Sequence, residues 1–437
     1  MSEQASRVRV EQIDWQHLLP FLRLLEGFRL AIRPARLLLS LMLVLLLYLG
    51  GLGMDMIWGP QTPPGPAAPG AVVSTEAPYR VFETLLSSEV RAFESLIQSA
   101  IELNFGFSDF LAREGAQADG VLGSLTAMVL LIPAWVYQNH PAFLAVYLLY
   151  AFLLTALLGG AVTRLAALDA SGAARQTSFQ AVRFTARRYG WFVLAPVIPL
   201  TVAAGICLVL ALAGLALFNL PVLDVLGAVL LGPLLAGGLV AALLLIGTVA
   251  GMSQLMPALA VEASDAFDAV SRVFNYVFGR PWRYLFYNGV MVVYGAICYL
   301  FVGLVVFLTL WLTKATVGLW SVGELAGTTR FDALLSDPRL DTLITSPEWQ
   351  ALDGSATLAA AIIVVWVKLL IAVLPAFAFS FFFCEQTWIY LLLRRFSEGT
   401  EFEHVHVEPG GKDEAAGSAL PEKLEPSASE RAEAETA

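Results

Sequence analysis

Two charged side chains, Lys368 and Glu385, interrupt the last long apolar stretch, Leu358 to Leu393. A charge near mid-depth in a membrane span costs about 2.5–3.5 kcal/mol or more, so it is kept for a partner or a function. The stretch holds 36 residues, about 54 Å as helix against a hydrocarbon core of about 30 Å. The two charges stand 17 residues apart, about 26 Å along the axis, too far to pair. Trp366 on one side and Trp388, Tyr390, Arg394 and Arg395 on the other have the composition of interfacial belts. They place the core at about Leu369 to Trp388, with Lys368 snorkelling outward and Glu385 near the inner edge, in need of a partner such as Gln254 or an arginine. Either both charges are anchors, or Glu385 lines a path for ions or substrate.

Arg187, Arg188, Arg280 and Arg283 recur between an amphipathic segment and a span, the last two beside Trp282 and Tyr284. Guanidinium groups bridge phosphate oxygens, so these four are candidate contacts for anionic lipid headgroups; a plain aromatic belt with snorkelling cations is the alternative. Glu262, Asp265 and Asp268 cluster at a helix start, where carboxylates offset the helix dipole. Glu403, His404, His406 and Glu408 alternate in the tail as a weak metal pattern, which a solvated tail also explains. A nucleophile with its base, a Gly-rich phosphate loop and a helical His-Glu motif are missing from the sequence, so no catalytic residue, cofactor or metal is expected. The basic residues keep to membrane edges, which excludes nucleic acid as a partner.

The elements around these residues are membrane spans. Hydrophobic residues make up 58% of the 437 and charged residues 14%, far from the roughly 45–50% and 25% of soluble domains. The pattern predicts an all-α polytopic bundle of about six spans, near Leu37–Trp58, Ala142–Val162, Trp191–Phe218, Leu226–Leu255, Phe286–Leu312 and Leu358–Leu393. Residues 1–36 read as a cytoplasmic interfacial segment, 37–395 as the membrane domain with outside loops at about 59–141 and 313–357, and 396–437 as a disordered acidic tail. Phe82, Leu86, Val90, Phe93, Ile97 and Ile101 predict an amphipathic helix across the outer ends of the spans. Val121 to Tyr137, interrupted by Pro133, is expected to re-enter or lie at the outer surface. On that reading nineteen Lys and Arg fall on one side and six on the other, which puts both termini in the cytoplasm of a cell inner membrane. Cys207, Cys298 and Cys384 lie in apolar runs and carry no disulfide framework.

An internal repeat organises the spans. Phe179-Gln180-Ala181-Val182 with the arginines behind it echoes Phe267-Asp268-Ala269-Val270, and Arg33-Pro34-Ala35-Arg36 echoes Arg280-Pro281-Trp282-Arg283. Each unit is a short interfacial helix, an outward span, an external connection and an inward span; three units give six spans. Gly159-Gly160-Ala161-Val162-Thr163-Arg164, the stretch Pro257 to Tyr287 and the stretch Thr387 to Arg395 resemble an uncharacterised bacterial family of multi-pass membrane proteins. That resemblance implies an integral membrane protein and transfers no catalytic residues. The layout also resembles, in architecture only, the membrane domain joined to some glycerophosphodiester phosphodiesterases. Three function classes follow: a non-enzymatic protein that organises lipids or a membrane-protein partner, a transporter or permease-like protein, and, with no constellation behind it, a lipid-processing enzyme.

Overall fold

The computed structural model describes residues 20–61, 78–102, 104, 106, 120–172, 176–219, 223–321, 323–325, 328–338, 347, 349, 352, 354–400, 402 and 405–406. A 3₁₀ segment, Pro20–Glu26, runs into the short helix α1 (Gly27–Ala31), and α2 (Pro34–Trp58) follows a tight corner. Arg33 is extended there and Pro34 opens the next helix, where its missing N–H costs nothing. Then come α3 (Val81–Ile101), α4 (Gly120–Asn139), α5 (Pro141–Ala170), α6 (Ser178–Arg187), α7 (Tyr189–Phe218), α8 (Leu223–Glu262), α9 (Ala266–Gly279) and α10 (Pro281–Gly318). Two-residue strands β1 (Glu324–Leu325) and β2 (Thr328–Thr329) pair antiparallel before α11 (Arg330–Leu334), α12 (Gly354–Ile371) and α13 (Val373–Glu398). The fold is an all-α polytopic bundle, and the chain is a multi-pass membrane protein: among the described residues seven helical segments are long and apolar enough to cross a bilayer.

Helices α5, α8 and α13 pack on one another as a central trio. Around them α2 packs on α5 and α13, α7 on α8 and α5, and α10 on α13. Each short helix folds back along a trio member: α6 on α5, α9 on α8, and the N-terminal 3₁₀ segment with α1 on α13. The three repeated units therefore form a closed cycle, in which the short helix of one unit covers the last helix of the unit before it. A Cβ on Gly160 would meet Thr185 at 2.7 Å and Phe192 at 2.8 Å, and one on Gly251 would meet Val273 at 2.5 Å, so the short helices sit where the long ones lack side chains.

Sequence boundaries and structure differ in an instructive way. The helices run past the apolar stretches at the end that carries Arg164, Glu262 and Arg394: α5 continues to Ala170, α8 to Glu262 and α13 to Glu398. The fold-back helices cover these extensions, so the trio members stay ordered beyond their apolar windows. The segment Gly354–Glu398 is interrupted at Ala372, because Pro375 has no N–H for the carbonyl of Ile371.

Helix α4 is also a difference. Pro133 does not end it; a π-helical stretch, Ala127–Leu131, absorbs the missing hydrogen bond and the helix continues to Asn139. Its partners are α3, which it meets antiparallel, and the first turn of α5. Ser95 Oγ lies 3.0 Å from Ser124 Oγ, and Tyr79 Oη 2.6 Å from His140 Nε2. Helix α3 is tied to the end of α2, where the buried Asp55 carboxylate accepts from Phe82 N (2.8 Å) and Glu83 N (3.1 Å). It reaches across to α10, with Phe93 and Tyr299 ring centroids 5.3 Å apart. The connection 62–77 and most of 103–119 lie outside the described residues.

Candidate functional site at the basic end of the bundle

The corners between short and long helices are built from caps. Thr177 and Gln180 form a capping box at the start of α6, and Asp265 Oδ1 accepts from Asp268 N (2.8 Å) at the start of α9. Of the expected acidic cluster, Asp265 alone caps. Asp268 pairs with Arg272 (2.9 Å), and Glu262 pairs with Arg394 (2.9 Å) and accepts from Tyr390 Oη (3.1 Å). Helix α8 ends at Ala263 in the left-handed region (φ 53°), and the freed Ala263 carbonyl accepts the Arg188 guanidinium.

These contacts form a polar collar that joins all three units. Arg36, almost fully buried, and Arg33 both pair with Asp169, at 2.8 and 2.7 Å. Arg164, 0% exposed, donates to Ala260 O (2.7 Å) and stacks 4.2 Å from the Phe184 ring centroid. Glu398 takes Arg272 at 3.2 Å and Tyr276 Oη at 2.6 Å. Burial raises the Tyr276 phenol above its ordinary value, and its hydrogen bond to Glu398 raises it further. Asp169, Arg164 and Tyr276 play parts that the sequence reading did not assign. Asp169 and Tyr276 stand in the last turns of their helices, and Arg164 stands just past an apolar run.

The four proposed headgroup arginines divide. Arg187 and Arg280 are exposed on the corners. Arg283 is exposed and lies 4.2 Å from the Phe396 ring centroid. Arg188 is half-buried over Phe184 and donates to the Ala263 carbonyl. Beside them are apolar side chains that no soluble surface would present: Phe179 (75% exposed) and Phe267 (71%), at matching positions of the two repeat copies, and Trp282 (82%).

Above the collar lies a second polar group. Gln254 of α8 donates to Gln386 of α13, whose amide reaches Asn288 Oδ1 (3.0 Å) and Met291 Sδ (3.2 Å) of α10. Tyr284 donates to Ala250 O and lies 3.3 Å from Ser253 Oγ, so α10 touches α8 here. Isolated amides within apolar stretches were the sequence signal for this group. Glu385, 0% exposed, corrects the expectation of a partner: Gln254 is engaged with Gln386 instead, and neither Glu385 oxygen has a hydrogen-bond partner among the described residues. Lys368 is exposed beside the exposed Trp366, the arrangement a snorkelling residue requires.

Phe402 and Val405 are buried, so the start of the segment expected as a disordered tail packs on the bundle. Phe402 lies under Arg23 (4.2 Å) and Arg395 (4.9 Å). Glu403, His404 and Glu408 of the weak metal pattern lie outside the described residues, and His406 is exposed. Among the described residues no three His, Cys, Asp or Glu side chains group as a metal site. Comparison of the chain with protein-family models, with curated proteins and with solved structures finds no match to any of them.

Proposed function

We propose that this is a non-enzymatic membrane protein that organises anionic lipid at the cytoplasmic face of a cell inner membrane, with both termini on that face. The observation that carries the reading is the equivalent placement of exposed Phe179 and Phe267 beside exposed arginines at two repeated corners, with Trp282 at the second. Aromatic side chains enter the headgroup region while guanidinium groups hold phosphate, which is the chemistry of an inner-leaflet contact. The excess of Lys and Arg at this end supports its cytoplasmic orientation. The likeness of three stretches to a bacterial multi-pass family agrees with an inner-membrane location, and a membrane-protein partner for the exposed apolar faces of α7 and α10 fits the same role.

The test uses Arg187→Gln, Arg280→Gln and Arg283→Gln together, leaving Arg188 in place because it holds Ala263. Each basic residue near an anionic surface contributes about 1 kcal/mol. The triple variant, purified alongside wild type and equilibrated with mixed anionic and zwitterionic lipid, is expected to retain several-fold less anionic lipid per folded protein. Equal retention overturns the reading.

A transporter or permease-like role is the second reading, favoured by the amides of Gln254, Gln386 and Asn288 where three helices meet. Polar groups of this kind in a bundle interior mark substrate paths in transporters. Gln386→Leu distinguishes the two, because it removes solute flux in reconstituted vesicles under the transport reading and leaves lipid retention unchanged under the first.

A further inference from the structure

Glu385 stands in an environment that no carboxylate tolerates. It is 0% exposed, and its carboxyl rests against the backbone of Gly27, where a Cβ would overlap it. This is the junction at which the 3₁₀ segment Pro20–Glu26 passes into α1. Tyr294 and Cys298 of α10 and Cys384 of α13 are the titratable groups that share its surroundings. Arg36 of α2 acts on neighbouring Cys384 and is paired with Asp169. Arg23, on the N-terminal segment itself, lies over Phe402 and Trp388. An ionised carboxylate left without a partner in such an interior costs several kcal/mol, whereas the neutral acid escapes that cost.

The contacts that seat the N-terminal segment on the bundle around Glu385 are neutral. Ser380 Oγ donates to Ala31 O (2.8 Å), and Tyr294 Oη donates to Leu25 O (2.9 Å). Phe21 meets Phe286 at 5.7 Å, and Phe28 meets Phe301 at 6.0 Å and Phe377 at 5.8 Å. Nothing in that set offsets a negative charge placed at its centre.

We propose that Glu385 is a proton-binding site whose occupancy is coupled to the seating of the N-terminal helix. With the helix seated, the carboxyl carries a proton. When the helix lifts, the carboxyl meets water and ionises, releasing one proton to the aqueous phase at the basic end; reseating takes one up. The seated state binds one proton more than the lifted state, so seating is complete at low pH and weakens as pH rises above the ordinary carboxylate value of about 4.3. The proposal is independent of the lipid reading.

Hydrogen–deuterium exchange of residues 20–32 in the full-length protein in nanodiscs, corrected for the intrinsic pH dependence of exchange, is the measurement. The opening constant of this segment is expected to rise by up to about tenfold per pH unit in wild type while the seated carboxyl stays protonated, and to be flat in Glu385→Gln. The infrared difference spectrum, wild type minus Glu385→Gln at neutral pH, is expected to contain a protonated-carboxyl band. Equal slopes in the two proteins, or no such band, overturn the proposal. If the variant does not fold, wild type alone decides: residues 20–32 must open with a steeper pH dependence than 178–187 and 266–279, and equal dependence overturns the coupling.

Discussion

Charge at the residue scale is used here in two ways. Glu262 is nearly buried and is shared by Arg394 and Tyr390, so its loss removes the closer of the two carboxylates on the buried Arg394 guanidinium, Glu398 lying at 4.0 Å, at the joint between α8 and α13. Breaking a buried pair costs about 3–5 kcal/mol, and Glu262→Leu is expected to lower stability by that order in a detergent thermal-unfolding assay, against less than half of it for the isosteric Glu262→Gln. Glu89 on α3 is the opposite case, an acid that the fold would rather keep neutral: burial pushes its carboxyl up to about 7. A raised folded value means the acid is tolerated below its unfolded value and becomes destabilising as pH rises through about 7. Amide exchange in α3 is therefore expected to accelerate across that window in wild type, after correction for intrinsic rates, and Glu89→Gln to remove the acceleration.

At the scale of elements, the short helices depend on close approach more than on their own length. Helix α9 lies on α8 because Gly251 leaves room for Val273, and α6 lies on α5 because Gly160 leaves room for Thr185. Overpacking such a contact costs about 1–3 kcal/mol. Gly251→Leu is expected to raise hydrogen exchange in 266–279 while leaving 178–187 unchanged; equal effects on both would show that the two contacts are not separate. On the far end, Asp55 caps α3 from another helix, and such caps contribute about 1 kcal/mol. Asp55→Ala is expected to loosen the α3 and α4 pair in limited proteolysis without changing the trio.

For the whole molecule the proposed inner-leaflet role depends on orientation, and orientation depends on helix α4. Helix α4 is long and apolar enough to cross and packs on α3; under the proposed orientation it does not cross, since a seventh crossing would carry α6 and its arginines to the opposite face. The cyclic packing of three units, with each short helix on a trio member, requires them at one end of the bundle. Ala186→Cys, at an exposed position of α6, is expected to resist an impermeant thiol reagent in intact cells, and Gln98→Cys, exposed on α3, to react. Labelling of Ala186→Cys from outside would place α6 and its arginines on the outer face and remove the inner-leaflet role.

Much of this architecture was legible in the chain itself. Apolar runs of spanning length, punctuated by Arg-Pro corners and a Thr-x-x-Gln capping pattern, determine helices, their approximate ends and the threefold repeat, because each signal acts within a few residues of itself. The exposure of Trp282 and Lys368 followed for the same reason. Partner choice did not. Asp55 reaches Phe82 across 27 positions and Gln254 reaches Gln386 across 132, and one-dimensional spacing holds no information about such pairs. Nor could spacing show that Gly27 would face Glu385 and leave it unpartnered, or that Phe402 would fold back under Arg23. The sequence by itself determined a repeated membrane bundle with a basic end. Only the tertiary structure decided which charges are locked in the collar, which are exposed and which carboxylate has no hydrogen bond among the described residues, because desolvation depends on what packs around a group and not on its neighbours in the chain.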